Sequence, residues 1–94
     1  MPPLGIEVSA RFKSDARQLS EERLDQLDRA LGSLSETFGK PHLHSGLGIR
    51  RMRRSYFEFH VGRDIRVVFR LKGSEAMLEM IGTHDDVRRF LKSL

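Results

Sequence analysis

The feature that most constrains this chain is a change of hydrophobic period about halfway along it. Up to residue 38 the apolar side chains recur at helical spacing. From Tyr56 onward they alternate with polar ones at a period of two, which is the mark of half-buried strands. A run of helices followed by a run of strands predicts an α+β fold rather than an alternating α/β one. The chain has 94 residues, which is room for one domain spanning 1–94.

In the first half, Leu4, Ile6 and Val8 alternate with other residues and predict a short strand over 4–8. Ser9 then stands as an N-cap, and Phe12, Ala16 and Leu19 predict an amphipathic helix over 10–19. Ser20 starts a second helix, with Glu21 and Glu22 in the first turn where the helix dipole favours anions. Leu24, Leu27, Leu31, Leu34 and Phe38 form one stripe, and Gly39 and Pro41 end the helix. The two helices predict an antiparallel hairpin.

In the second half, residues 48–52, 56–61, 65–71 and 76–81 predict four strands of an antiparallel meander, turning at Arg53-Arg54-Ser55, Gly62-Arg63 and Lys72-Gly73-Ser74. Thr83 caps a last short helix carrying Val87, Phe90, Leu91 and Leu94. The predicted order is β-α-α-β-β-β-β-α, with the helical hairpin on one face of the sheet and the other face open.

The net charge of +4 is unevenly spread. Residues 40–72 carry 9 basic and 2 acidic side chains, whereas the segments on either side are net negative. Thirteen of the 17 basic residues are Arg, whose planar fork matches phosphate and carboxylate. A polyanionic partner follows, with Arg50, Arg51, Arg53 and Arg54 as its grip; the plainer reading of those four is a charged edge strand. With no Cys, disulfides, thiolate zinc sites and cysteine nucleophiles are excluded. The start of the chain has no secretory pattern and no apolar run is long enough for a membrane helix, so a cytoplasmic protein is expected.

Alternation puts Phe57, Phe59 and Val61 on one side of their strand and Tyr56, Glu58 and His60 on the other. On the next strand Ile65, Val67, Phe69 and Leu71 oppose Arg66 and Arg70. The apolar sets must meet the helices, so the polar sets share the open face. There His60, Asp64, Arg66 and His84 are expected to converge at one end of the sheet. Asp64 has a plainer role as a local backbone acceptor, and Arg66 as an ion-pair partner of Glu58 or Glu79. RNA cleavage needs such a set: a base for the 2′-hydroxyl, an acid for the leaving 5′-oxygen, and cations around the phosphorane. Histidine, with an ordinary pKa near 6.5, serves the first two without any metal or cofactor. His42 and His44 have the spacing of some metal sites, but a site needs further ligands, and both are expected to line an RNA channel.

The segment from Tyr56 through Arg70, together with Gly82-Thr83-His84 and the element order, resembles the RelE/ParE toxin superfamily and its YafQ-like branch. The resemblance implies a bacterial type II toxin that enters the ribosomal 30S A site and cleaves mRNA. Such a toxin is silenced by a cognate antitoxin whose acidic or amphipathic segment wraps the basic face. It implies His60, Asp64 and His84 as active-site residues and Arg66 as a contact to the scissile phosphate. Arg63, Arg70 and Arg88 join the RNA-binding set. Ile65 and Arg88 stand where YafQ-like toxins carry aromatics, leaving Tyr56 and Phe90 as rings to stack on a base. Two rivals remain: a ParE-like inhibitor of DNA gyrase, and a non-catalytic RNA- or protein-binding module.

Overall fold

The computed structural model describes residues 5–37 and 48–94. Its elements are β1 (Gly5–Val8), α1 (Ala10–Ala16), α2 (Glu21–Thr37), β2 (Arg50–Arg53), β3 (Tyr56–Val61), β4 (Ile65–Lys72), β5 (Glu75–Gly82) and α3 (His84–Lys92). The predicted order holds. Phe38, Gly39, Pro41, His42 and His44 lie outside the described residues.

Side chains start both N-terminal helices. Ser9 Oγ accepts from Phe12 N at 3.0 Å, and Ser20 Oγ from Arg23 N at 3.2 Å. The first helix is shorter than its apolar spacing predicts, ending at Ala16, although Leu19 still packs on the core. On α2 the buried stripe is Leu27, Ala30 and Leu34, at helical spacing. Leu24, predicted to belong to it, is 38% exposed.

The five strands form one sheet in the order β1-β5-β4-β3-β2. β2 to β5 make the predicted antiparallel meander, but β1 joins β5 in parallel, so the sheet is mixed. The turn Gly62-Arg63-Asp64 joins β3 to β4. Gly62 has φ +70°, and a Cβ there would stand 3.3 Å from Gln26 Oε1 on α2, so the turn needs glycine twice over. β1 covers only the first half of the β5 edge. Beyond it, Ser9 Oγ donates to Glu79 O at 2.9 Å and Asp15 Oδ2 accepts from Ile81 N at 3.0 Å, so side chains of the α1 region take over the ladder. The β4–β5 register shifts by one residue after Val68, leaving Glu79 without a partner in the ladder.

The sheet carries apolar clusters on both faces. On one, Phe12, Leu27, Ala30 and Leu34 bury Phe59, Val61, Val67, Phe69, Ala76, Leu78 and Ile81. On the other, α3 lays Val87 and Phe90 over Val68 and Met80, with Met52, Tyr56 and Leu91 alongside. The second face is therefore not open as the alternation predicts. The reason is Val68 itself, an apolar residue between Arg66 and Arg70 that needs a cover. Phe90 is 9% exposed, with Tyr56 edge-on at 6.0 Å and the Arg11 guanidinium 5.6 Å from its ring centre. Phe90 is thus a packing residue and not a free stacking platform. Among the described residues no helix is long and apolar enough to cross a membrane.

Candidate active site

Register places the polar residues in rows across the α3 face of the sheet. His60 pairs with Arg66, and Arg66 with Gly82. Opposed residues of an antiparallel ladder have Cα atoms about 4.5–5.5 Å apart. His84 follows Gly82 by two residues, as the exposed first residue of α3. One row away, Arg50 pairs with Glu58, and Glu58 with Val68.

Glu58 is 1% exposed. Its Oε1 accepts from Arg66 Nη1 at 2.9 Å and from Arg50 Nη2 at 3.1 Å. Its Oε2 is buried and finds no hydrogen-bond donor among the described residues. The Arg66 side chain is 21% exposed and that of Arg50 65%, so the pair lead from a buried carboxylate out to solvent. The His60 ring lies beside Gly48, where a methyl group would stand 3.5 Å from Cδ2.

The Gly82-Thr83-His84 stretch has a structural logic of its own. Thr83 Oγ accepts from Asp86 N at 3.3 Å, while Asp86 Oδ2 accepts from Thr83 N at 2.9 Å, closing a capping box. Arg89 Nη2 donates to the other oxygen of Asp86 at 2.5 Å. The Thr83 backbone N–H, then Arg89 and the Thr83 hydroxyl, hold the Asp86 carboxyl below the usual carboxylate range. A Cβ on Gly82 would come 2.6 Å from Asp86 Cβ, so only glycine lets the strand run this close to the cap. Strand end and helix start are thereby locked together, and His84 is set just beyond the Arg66 row.

The other predicted residues divide. Asp64 is taken by α2: Arg23 Nη1 and Nη2 donate to its two oxygens at 2.5 and 3.0 Å. That fork, opposed by a smaller desolvation effect, lowers its pKa. Arg23, on the helical side, is the partner that sequence reasoning did not find; it lies 41 residues upstream. Arg63 is exposed in the turn, and Arg88 is exposed on α3 four residues after His84, a spacing that shares one helix face. Arg70 lies on the Arg66 side of β4 but roughly 13 Å further along the strand. Its Nε is buried, without a hydrogen-bond acceptor among the described residues.

The arginines at 50, 51, 53 and 54 meet different neighbours. Arg50 joins Glu58. Arg53 Nη1 donates to Leu91 O at 2.9 Å, satisfying a carbonyl at the C-terminal end of α3. Arg51 Nε donates to Arg54 O at 2.6 Å across a turn in which Arg54 has φ +47°. Arg51 and Arg54 flank a groove with Phe57 and Leu71.

No family model matches the sequence, and no curated protein does. Solved structures do match. The RelB–RelE antitoxin–toxin complex from Methanococcus jannaschii aligns over 89% of this chain and 96% of that one, at 10% identity and a TM-score of 0.68. YafQ from E. coli strain BL21(DE3) aligns over 89% and 97%, at 21% identity and a TM-score of 0.60. The RelE–RelB complex from Pyrococcus horikoshii OT3 aligns over 86% and 94%, at 9% identity and a TM-score of 0.69. The chain has a RelE/YafQ-like toxin fold. On that fold the His60–Arg66–Gly82 row combines a titratable ring and a guanidinium at the strand ends, with the His84 imidazole beyond them. This is a composition suited to moving protons beside an oxyanion.

Proposed function

We propose that this chain is the toxin of a type II toxin–antitoxin pair and a metal-independent endoribonuclease that cleaves mRNA on the ribosome. The observation that carries the reading is the row His60–Arg66–Gly82, with His84 at the start of the helix beyond it, on a RelE/YafQ-like fold. One imidazole takes the proton of a 2′-hydroxyl as its oxygen attacks the adjacent phosphorus. The other gives a proton to the departing 5′-oxygen, leaving a 2′,3′-cyclic phosphate and a 5′-hydroxyl. Arg66 faces the phosphorane oxygens. Asp64, held by Arg23, acts by fixing the β3–β4 turn beside His60. Arg50, Arg63 and Arg88 are the outer contacts to the RNA backbone, and that binding weakens steeply with salt.

The silencing partner is an antitoxin whose acidic or amphipathic segment covers these cations in the cytoplasm. Support comes from Methanococcus jannaschii RelE and E. coli YafQ, which were solved as antitoxin–toxin complexes with RelB and DinJ. The test is growth arrest on induction, with mRNA 5′ ends mapped on ribosomes. Wild type arrests cells and produces new 5′ ends. His84→Ala and Arg66→Ala each lower cleavage by about 10²–10⁴-fold, the scale of a lost acid, base or oxyanion contact. Arrest by both variants as strong as wild type, without new 5′ ends, overturns the nuclease reading.

A further inference from the structure

A carboxylate that is 1% exposed needs a reason, because burying an ionised group costs several kcal/mol unless it is well paired. Among the described residues Glu58 is paired on one oxygen only. Both Arg66 and Arg50 donate to Oε1, while Oε2 is buried and has no donor among them. A buried carboxylate gains most stability when both of its oxygens are satisfied. Here two guanidiniums from strands on either side of β3 meet at a single atom instead. Without the negative charge between them, the two cations repel and their long side chains splay. With it, each gives up part of its fork to Glu58, and the remaining donors are left for another anion.

We propose that Glu58 is a positioning residue that clamps Arg66 and Arg50 side by side as a two-guanidinium grip for one phosphodiester. The inference rests on the reading of Arg66 as a phosphate contact. Glu58 itself does not touch the substrate. Its free oxygen is buried, so no 2′-hydroxyl reaches it, and Glu58 is not the base. Its neighbours explain how the charge is kept in place. Cross-strand from Glu58 lies Val68, fully buried under α3, and the two partly exposed arginines lead from the carboxylate out to solvent. Glu58 and Arg50 lie in the row next to the His60–Arg66–Gly82 row, and Arg66 belongs to that second row itself, so a phosphate held by the grip lies beside the imidazole. The trio carries one net positive charge, spread over two forks whose geometry is set before the ligand arrives. This spares the ordering cost that free surface arginines bear on binding.

The test uses the full chain and a non-cleavable single strand, a 2′-O-methyl RNA oligonucleotide, with binding read by fluorescence anisotropy. Glu58→Gln keeps the shape and removes the charge. Its expected effect is a loss of affinity of about 10-fold, the scale of a charge-assisted hydrogen bond. Glu58→Met fills the same space beside Val68 with an apolar chain, guards against misfolding of the first variant and is expected to show the same loss. Urea melts confirm that both variants are folded. The deciding readout is the triple variant Glu58→Gln/Arg66→Ala/Arg50→Ala. If Glu58 acts through the two arginines, it binds no more weakly than Arg66→Ala/Arg50→Ala. Simple addition of the two losses, or wild-type affinity in Glu58→Gln, overturns the positioning role while leaving Arg66 as a phosphate contact. Wild-type affinity in both Arg66→Ala and Arg50→Ala overturns the phosphate reading itself.

Discussion

The two faces of the β3–β4 hairpin are made by the same residues in alternation, yet they are stabilised in different ways. Toward α1 and α2, Phe59, Val67 and Phe69 are completely buried, and the Phe57 and Phe69 rings stack 5.3 Å apart. Toward α3, Val68 and Met80 are equally buried, but their neighbours are Glu58, Arg66, His60 and Arg50. The first face gains stability roughly in proportion to the area removed from water, and volume-conserving apolar swaps there are tolerated. The second face depends on which atom donates to which, and one lost partner leaves a buried charge uncompensated. The apolar face supplies the fold, which leaves the α3 face free to carry polar and charged side chains.

The comparison is broken most directly at adjacent residues of β3. Phe59→Ala is expected to cost about 3–5 kcal/mol in urea unfolding, whereas His60→Ala, one residue on and half-exposed, costs about 1 kcal/mol while reducing RNA cleavage. Equal costs would mean that the faces are not divided in this way. Next in size is Gly82→Ala, whose new methyl runs into Asp86. An expected loss of about 1–3 kcal/mol, together with lost cleavage through displaced His84, would show that α3 couples the apolar part of its face to the polar part. An unchanged urea midpoint would show that the strand end and the cap move freely past each other.

The smallest effect is at Asp64, outside both faces. Its folded pKa lies below the ordinary value because Arg23 donates to it. A depressed carboxylate pKa adds stability that is present above the unfolded pKa and lost as pH falls through the folded one. The difference in melting temperature between wild type and Asp64→Asn should therefore be constant above about pH 5 and close as pH drops below about 4. A difference that persists to pH 2 would show that the Arg23 contact does not depend on the charge of Asp64.

Much of the fold was legible because period is a local property. Phe59 against His60, or Val67 against Arg66, assigns a face from neighbours in the chain, and Thr83 with Asp86 writes a helix start within four residues. The candidate site was legible to the same depth: His60, Arg66 and Gly82 align because antiparallel pairing through short turns leaves few registers open. What escaped was every feature whose partner is distant. β1 pairs in parallel with β5, Gly5 opposite Glu75, and a four-residue strand carries no mark of that choice. Asp64 reads as a turn residue beside His60 until α2 brings Arg23 to it.

By itself, then, the sequence determined the α+β class, the order of elements and the face on which each strand residue stands, because backbone geometry converts spacing into direction. Only the tertiary structure decided that α3 closes over Val68, that Arg53 and Arg50 serve different neighbours, and that Glu58 is buried between two guanidiniums. Alternation along the hairpin already offered Glu58 as an ion-pair partner of Arg66, but the burial of that carboxylate and its second donor, Arg50, are set by what packing brings near.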